Sequence, residues 1–475
     1  MTRRKLFGAV LFASSTVFAC GSGDSNPSPS SSDGGAGTPL STGGTGNESG
    51  AGGGSPASSG GVGGAGTPGT GVGGTTDGTG GATSGGSSGS TSGGSSGAAS
   101  GGSSGSSGGA SGAGGATEPE PDSGSASTCA PSSDACPMSS GLVHACEQRF
   151  ALGLNYAWHN FSCDFGGLSA WNTKGVSDDP TTVDTDLAAM HAAGASVIRW
   201  WVFPDFRGDG ISFDANGDPS GITTTAVADV QKALDLAKKN DVYLVFTVFS
   251  FDAFRPDTTD SGVLIRSIAP MVTNATRRAK VIENVVRPLA RAAAGSDAAS
   301  HLLGWDVINE PEWAVTATGN APGGQDFTPN SELTTVSLAD MKSLIDETAQ
   351  ALKAEAPDSL TSVGWAAAKW AWAFDDVTNI DFDQPHIYGW VDQYWPYTKN
   401  PADLGYGKKP TVMGEFYLQP MPFSDGGDNV AFAQILSSWW DNGYAGAWAW
   451  QYADESQNLT LLQSFKTTKG CPAGF

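Results

Sequence analysis

Basic charge is scarce in this chain. Its 25 Lys and Arg stand against 48 Asp and Glu, for a net charge of −23. That balance leaves no basic face for phosphates and argues against a nucleic-acid partner. Long apolar runs are missing too. The N-terminal apolar stretch, 6–19, is too short to span a bilayer stably. Tryptophan is absent before Trp158, although the chain holds fifteen, so the folded part begins late. No Gly-rich phosphate loop follows the first apolar run of that part, which argues against nucleotide binding. No histidine stands at zinc-finger spacing beside the cysteines, so no metal is expected there.

What precedes the folded part reads as export and tether. Arg3, Arg4 and Lys5 lead into the short apolar stretch, which marks residues 1–19 as a signal peptide. The Arg-Arg pair suggests twin-arginine export. Val17-Phe18-Ala19-Cys20 resembles a bacterial lipoprotein cleavage site, with Phe18 in place of the usual small residue. Cys20 would then carry a lipid, the one expected link to a membrane. The expected location is the outer membrane, the cell surface or the medium. Residues 20–128 are almost all Gly, Ser, Thr and Ala, too poor in apolar side chains to offset the entropy of ordering. They read as a disordered linker with a reach of roughly 55 Å. Residues 129–475 are left as one large domain. An exported domain permits disulfides. With Cys20 lipidated, Cys129, Cys136, Cys146, Cys163 and Cys471 remain, enough for two bridges and one thiol with the pairing open.

From 150 onward short apolar runs alternate with helical patterns, the mark of a parallel sheet built from βα units. Strands are expected at 150–156, 197–203, 242–249, 302–308, 360–365, 382–388, 411–416 and 444–450. Helices are expected at 184–193, 225–239, 277–294, 338–356 and 430–441. Eight strands in roughly 330 residues favour an α/β fold of the (β/α)8 TIM-barrel type over an open sheet. Asp214-Ala215-Asn216-Gly217-Asp218 resembles the start of a calcium loop, but Pro219 stands where that loop needs Gly, so a turn is expected.

Two of the runs end in a glutamate. Trp305-Asp306-Val307-Ile308-Asn309-Glu310-Pro311 closes the fourth and Val412-Met413-Gly414-Glu415-Phe416 the seventh, 105 residues apart. In a parallel barrel both strand ends reach one face, and two carboxylates there can cleave a glycosidic bond. Their environments must differ, one ionised and one protonated. Gly414 is expected to leave room beside Glu415 for a sugar ring.

The region 150–452 resembles the retaining glycoside hydrolases of clan A, family 5, which include cellulases and mannanases. The resemblance rests on the Asn-Glu pair after the fourth strand and the Glu after the seventh. It implies Glu310 as acid/base, Glu415 as nucleophile and Asn309 as donor to the sugar 2-hydroxyl. Arg199, in Val-Ile-Arg-Trp-Trp on the second strand, would keep Glu415 ionised. His386 and Tyr388 form the His-x-Tyr of the sixth strand and alternate to the same side, toward both carboxylates. Trp450 would stack under the reacting sugar, and Trp158 and Trp390 are expected to line the cleft. His159 and Asn160 follow Trp158 on the same loop.

Many family 5 cellulases carry a histidine after the third strand; Leu244–Asp252 has none. The reading therefore leans to an endo-β-1,4-mannanase, a monomer without cofactor acting on β-linked polysaccharide. An endo-β-glucanase, an exo-acting β-mannosidase or β-glucosidase, and a sugar-binding lipoprotein without turnover stay open.

Overall fold

A computed structural model describes residues 140–388, 398–417, 430–452 and 459–475. The expected signal peptide, Cys20, the linker, Cys129, Cys136 and Trp390 lie outside the described residues.

The expected barrel is present. Its strands are β1 (Ala151–Asn155), β2 (Val197–Trp201), β3 (Tyr243–Ser250), β4 (Leu302–Asn309), β5 (Leu360–Trp365), β6 (Gln384–Pro385), β7 (Val412–Met413) and β8 (Gly446–Ala449). All pair in parallel, in the order β6-β5-β4-β3-β2-β1-β8-β7. Parallel bridges Asp383↔Thr411 and His386↔Glu415 then join β6 to β7. These last strands are shorter than their apolar runs. Beyond β6 the chain still pairs on both sides, His386 N–H donating to the Trp365 carbonyl and Ile387 N–H to the Glu415 carbonyl.

Among the described residues the helices longer than two turns are α1 (Thr181–Ala192), α2 (Thr224–Lys239), α3 (275–294), α4 (Leu338–Glu355), α5 (Phe432–Asp441) and α6 (Thr460–Lys469). Thr223 caps α2 by accepting from Ala226 N–H, and Lys238 and Lys239 complement its C-terminus. Asn274 caps α3, which carries a π-turn over Ile282–Val286 that apolar spacing does not reveal. Ser337 caps α4 through Asp340 N–H. The Asp214–Asp218 segment is the expected turn. Asp214 N–H donates to the Asp218 carbonyl, and Lys280 and Arg277 pair with the Asp218 carboxylate.

Two apolar layers hold the barrel. The larger fills the space between strands and helices. The smaller fills the lower barrel interior with Ala151, Val197, Val245, Leu303, Phe382, Val412 and Trp448. Leu142, from the hairpin Leu142–His144/Glu147–Arg149 that precedes β1, joins this lower cluster. Cys146, in that hairpin's turn, and Cys471 are disulfide-bonded, while Cys163 keeps a buried thiol.

Candidate active site

The upper interior is polar, and β4 shows how it is built. Strict alternation would put Leu303 and Asp306 on opposite faces. Register shifts between Leu302 and Gly304 and between Asp306 and Asn309 break the period. Leu303 packs in the lower interior, while Asp306 and Asn309 both reach Arg199 above it.

Arg199 is fully buried and makes five hydrogen bonds. Nε and Nη2 donate to Asp306 Oδ2 at 2.9 and 2.5 Å, Nη2 also to Asn309 Oδ1 at 2.8 Å. Nη1 donates to Asn155 Oδ1 at 3.0 Å and to Glu415 Oε1 at 2.6 Å. A guanidinium out of water is tolerated when its donors are satisfied and its charge is paired, and both conditions hold here. Its carbon also lies 4.2 Å from the centre of the Trp201 ring.

Glu310 and Glu415 converge above this fork. One oxygen of each carboxylate and one nitrogen of His386 lie within 4.8 Å of one another. His386 Nδ1 is 2.9 Å from Glu310 Oε1 and 3.6 Å from Glu415 Oε1. The Tyr388 hydroxyl donates to Glu415 Oε2 at 2.8 Å. The Trp313 indole donates to Glu310 Oε2 at 2.9 Å. His386, Glu310 and Glu415 have the donor types of a metal site, but the Arg199 cation already holds Glu415, which disfavours a second cation there.

The two carboxyls are unlike. Burial pushes Glu310 up to about 7, against smaller pulls from the Trp313 hydrogen bond and the Arg199 charge. Burial also pushes Glu415 up, as does the Glu310 charge, but the Arg199 charge and the Tyr388 hydroxyl oppose it. The direct cation and the phenol both sit on Glu415 and favour its ionised form, whereas Glu310 has only the Trp313 indole and a more distant Arg199 to oppose its burial. Burial lowers His386 to about 4, so its ring is neutral between the two. Burial and the neighbouring carboxylates raise the Tyr388 hydroxyl, which stays protonated.

The expected residues are thus brought together where they are described: Arg199, Asn309, Glu310, His386, Tyr388 and Glu415. Trp450 and Trp158 are half-buried and cluster with Trp201, each ring edge-on to the other two, with ring centres 5.5–6.3 Å apart. The backbone N–H groups of His159 and Asn160 both donate to Asp164, which pins that loop.

Gly414 has a different role from the one expected. A Cβ there would collide with the buried Gln384 side chain, so the missing side chain makes room for Gln384 and not for a sugar. Gly364 is the glycine that shapes the site. A Cβ on it would stand 2.5 Å from Arg199 Nη2 and 2.9 Å from His386 Nε2. Asn155, Thr247 and Asp306 went unnoticed in the sequence. A visible signal existed, since each is a polar residue inside an apolar strand and must find a partner.

Fold and site together define a (β/α)8 barrel with two close, inequivalent glutamates at one mouth. No protein-family model matches the chain. The mannan endo-1,4-beta-mannosidase of Mytilus edulis is 24% identical over 346 residues, covering 66% of this chain and 86% of that protein. The enzyme of the same name from Cryptopygus antarcticus is 24% identical over 352 residues, covering 66% and 83%. The X-ray structure of the Mytilus edulis beta-mannanase matches with a TM-score of 0.55 at 22% identity, covering 68% of this chain and 92% of that one. This last likeness shows the shared fold.

Proposed function

We propose that this chain is a retaining glycoside hydrolase of the family 5 kind, an endo-β-1,4-mannanase, with Glu415 as nucleophile and Glu310 as acid/base. The observation that carries the mechanism is the pair of carboxylates with oxygens within 4.8 Å, the short spacing of double displacement. In the first step a Glu415 oxygen bonds to the anomeric carbon as the glycosidic bond breaks. Glu310 gives its proton to the departing oxygen. In the second step Glu310 takes a proton from water, whose oxygen displaces Glu415 and frees the sugar. The Arg199 and Tyr388 donors steady Glu415 when it leaves as an anion. Asn309 spends its carbonyl oxygen on Arg199, which leaves its amide NH2 for the 2-hydroxyl of the sugar. Trp158 and Trp450 offer flat faces to the pyranose rings. Trp390 is kept as a third aromatic on sequence grounds. No cofactor or metal takes part.

Mannan as substrate is supported by the names of both curated relatives. The same proposal includes a monomeric enzyme exported through residues 1–19, lipid-anchored at Cys20 and held off the surface by residues 20–128, and this part rests on sequence alone. Reducing-end release from mannan, glucomannan, carboxymethylcellulose and xylan tests the activity. Release from the mannans that disappears in Glu415→Gln is the expected result; activity confined to cellulose or xylan, or kept in the variant, refutes it. Release of the enzyme from membranes by Cys20→Ala tests the anchor.

A further inference from the structure

One buried carboxylate takes no direct part in the chemistry above, yet it touches the supports of both glutamates. Asp306 lies fully buried on β4. Its Oδ2 accepts from Arg199 Nε at 2.9 Å and Nη2 at 2.5 Å, and from the Thr247 hydroxyl at 3.0 Å. By occupying that edge of the guanidinium it leaves Nη1 facing Glu415. Its Oδ1 accepts from Gly364 N–H at 2.8 Å. The Gly364 carbonyl in turn accepts from Glu310 N–H at 2.7 Å. Glu310 needs that anchor, because its backbone is left-handed, with φ at 50°, which a non-glycine residue adopts at a cost. One oxygen of Asp306 therefore aims the group that holds Glu415, and the other fixes the backbone that presents Glu310.

We infer that Asp306 is a positioning residue that sets the placement and the charge environment of both glutamates at once. The inference rests on the proposed function and adds to it a residue outside the reacting groups. Asp306 also balances the Arg199 charge inside the barrel. The charged or titratable groups acting on the two glutamates are Arg199 from β2, His386 and Tyr388 just after β6, and each other, and Asp306 on β4 acts on them through Arg199 and His386. Removing the Asp306 charge leaves Arg199 less compensated, which favours the ionised form of both glutamates.

The test is Asp306→Asn in the full chain, assayed on mannan beside wild type across pH, with thermal unfolding measured in parallel. Asparagine has nearly the same shape but sets an NH2 against either Arg199 or Gly364 N–H. Misplacement of the reacting groups should lower kcat on the order of 100-fold while KM stays within about twofold. Both limbs of the pH profile should move down by about one unit. A profile that stays in place, or a lower melting temperature with unchanged kcat, overturns the inference. If Asp306→Asn does not fold, Thr247→Val carries the test. It removes one hydrogen bond to Asp306 and leaves all charges, so kcat should fall several-fold at constant KM. Wild-type kcat in that variant overturns the inference. The wild-type control separates the two claims. No cleavage by wild type defeats the proposed function and takes this inference with it, whereas an active wild type beside an unaffected variant defeats the inference alone.

Discussion

The lower and upper halves of the barrel interior are built by the same strands and obey different physics. Val197 on β2 and Val245 on β3 lie in the apolar lower cluster, while Arg199 and Thr247, two residues further along, lie in the polar one. The lower cluster gains free energy by leaving water. Its one buried polar group at Trp448 is satisfied, the indole donating to the Ala151 carbonyl at 3.0 Å. The upper cluster buries an arginine, two or more acids and a histidine, each of which loses hydration and must be repaid by hydrogen bonds. One half stabilises the fold, and the other spends part of that stability on reactive groups.

Substitutions that separate activity from stability break this comparison most sharply. Glu415→Gln should reduce kcat on the order of 10,000-fold while leaving the melting temperature at or above that of wild type. Polymer hydrolysis and calorimetry on the same sample check this, and substantial residual turnover removes Glu415 as nucleophile. Glu310→Ala should cost about 100- to 10,000-fold on mannan, the range of a lost general acid. Activated aryl mannosides or azide should restore much of it, and absence of any rescue speaks against an acid/base role.

In the lower half the expectation is reversed. Leu303→Ala should destabilise by about 2–5 kcal/mol, as a cavity in a close-packed interior does. Its kcat, measured well below the melting temperature, should stay within about threefold of wild type. A large loss of kcat there would mean that the two halves are not separable.

Ionisation gives the smallest and finest test. The folded-state pKa of Glu310 is raised from 4.5 to about 7, so the folded protein binds its proton more tightly than the unfolded chain does. The stability from this group is fully present below 4.5 and is lost as pH rises toward 7. Glu310→Gln, a mimic of the protonated form, should therefore raise the melting temperature relative to wild type above pH 7 and lose that advantage below pH 4.5. Unfolding scans across pH check the sign. The alkaline limb of wild-type activity should fall near pH 7 for the same reason.

Much of this could be read before any coordinates. Apolar periodicity located all eight strands and five of the helices, because burial on both faces of a parallel strand writes itself as a continuous apolar run. The paired glutamates at strand ends, with the family resemblance, selected Asn309, Glu310 and Glu415, and also Arg199, His386 and Tyr388. The His-x-Tyr spacing worked because alternate residues of an extended chain share a side, and both side chains do reach the carboxylates.

Other features depend on contacts between residues far apart in the chain. Gly414 read as space for a sugar, yet its neighbour is Gln384, thirty positions away and brought near by the pairing of β6 with β7. Asp306 read as one polar residue in an apolar strand. Its inward direction is set by register shifts in β4, which depend on how β3 and β5 pack beside it. The sequence by itself determined which segments are strands and which residues carry reactive groups, since those follow from local pattern and chemical type. The tertiary structure decided how the surroundings of the two carboxyls differ. That difference arises from Arg199 and Tyr388 converging on Glu415 while Glu310 faces Trp313 and a neutral His386, and no local pattern encodes such distances.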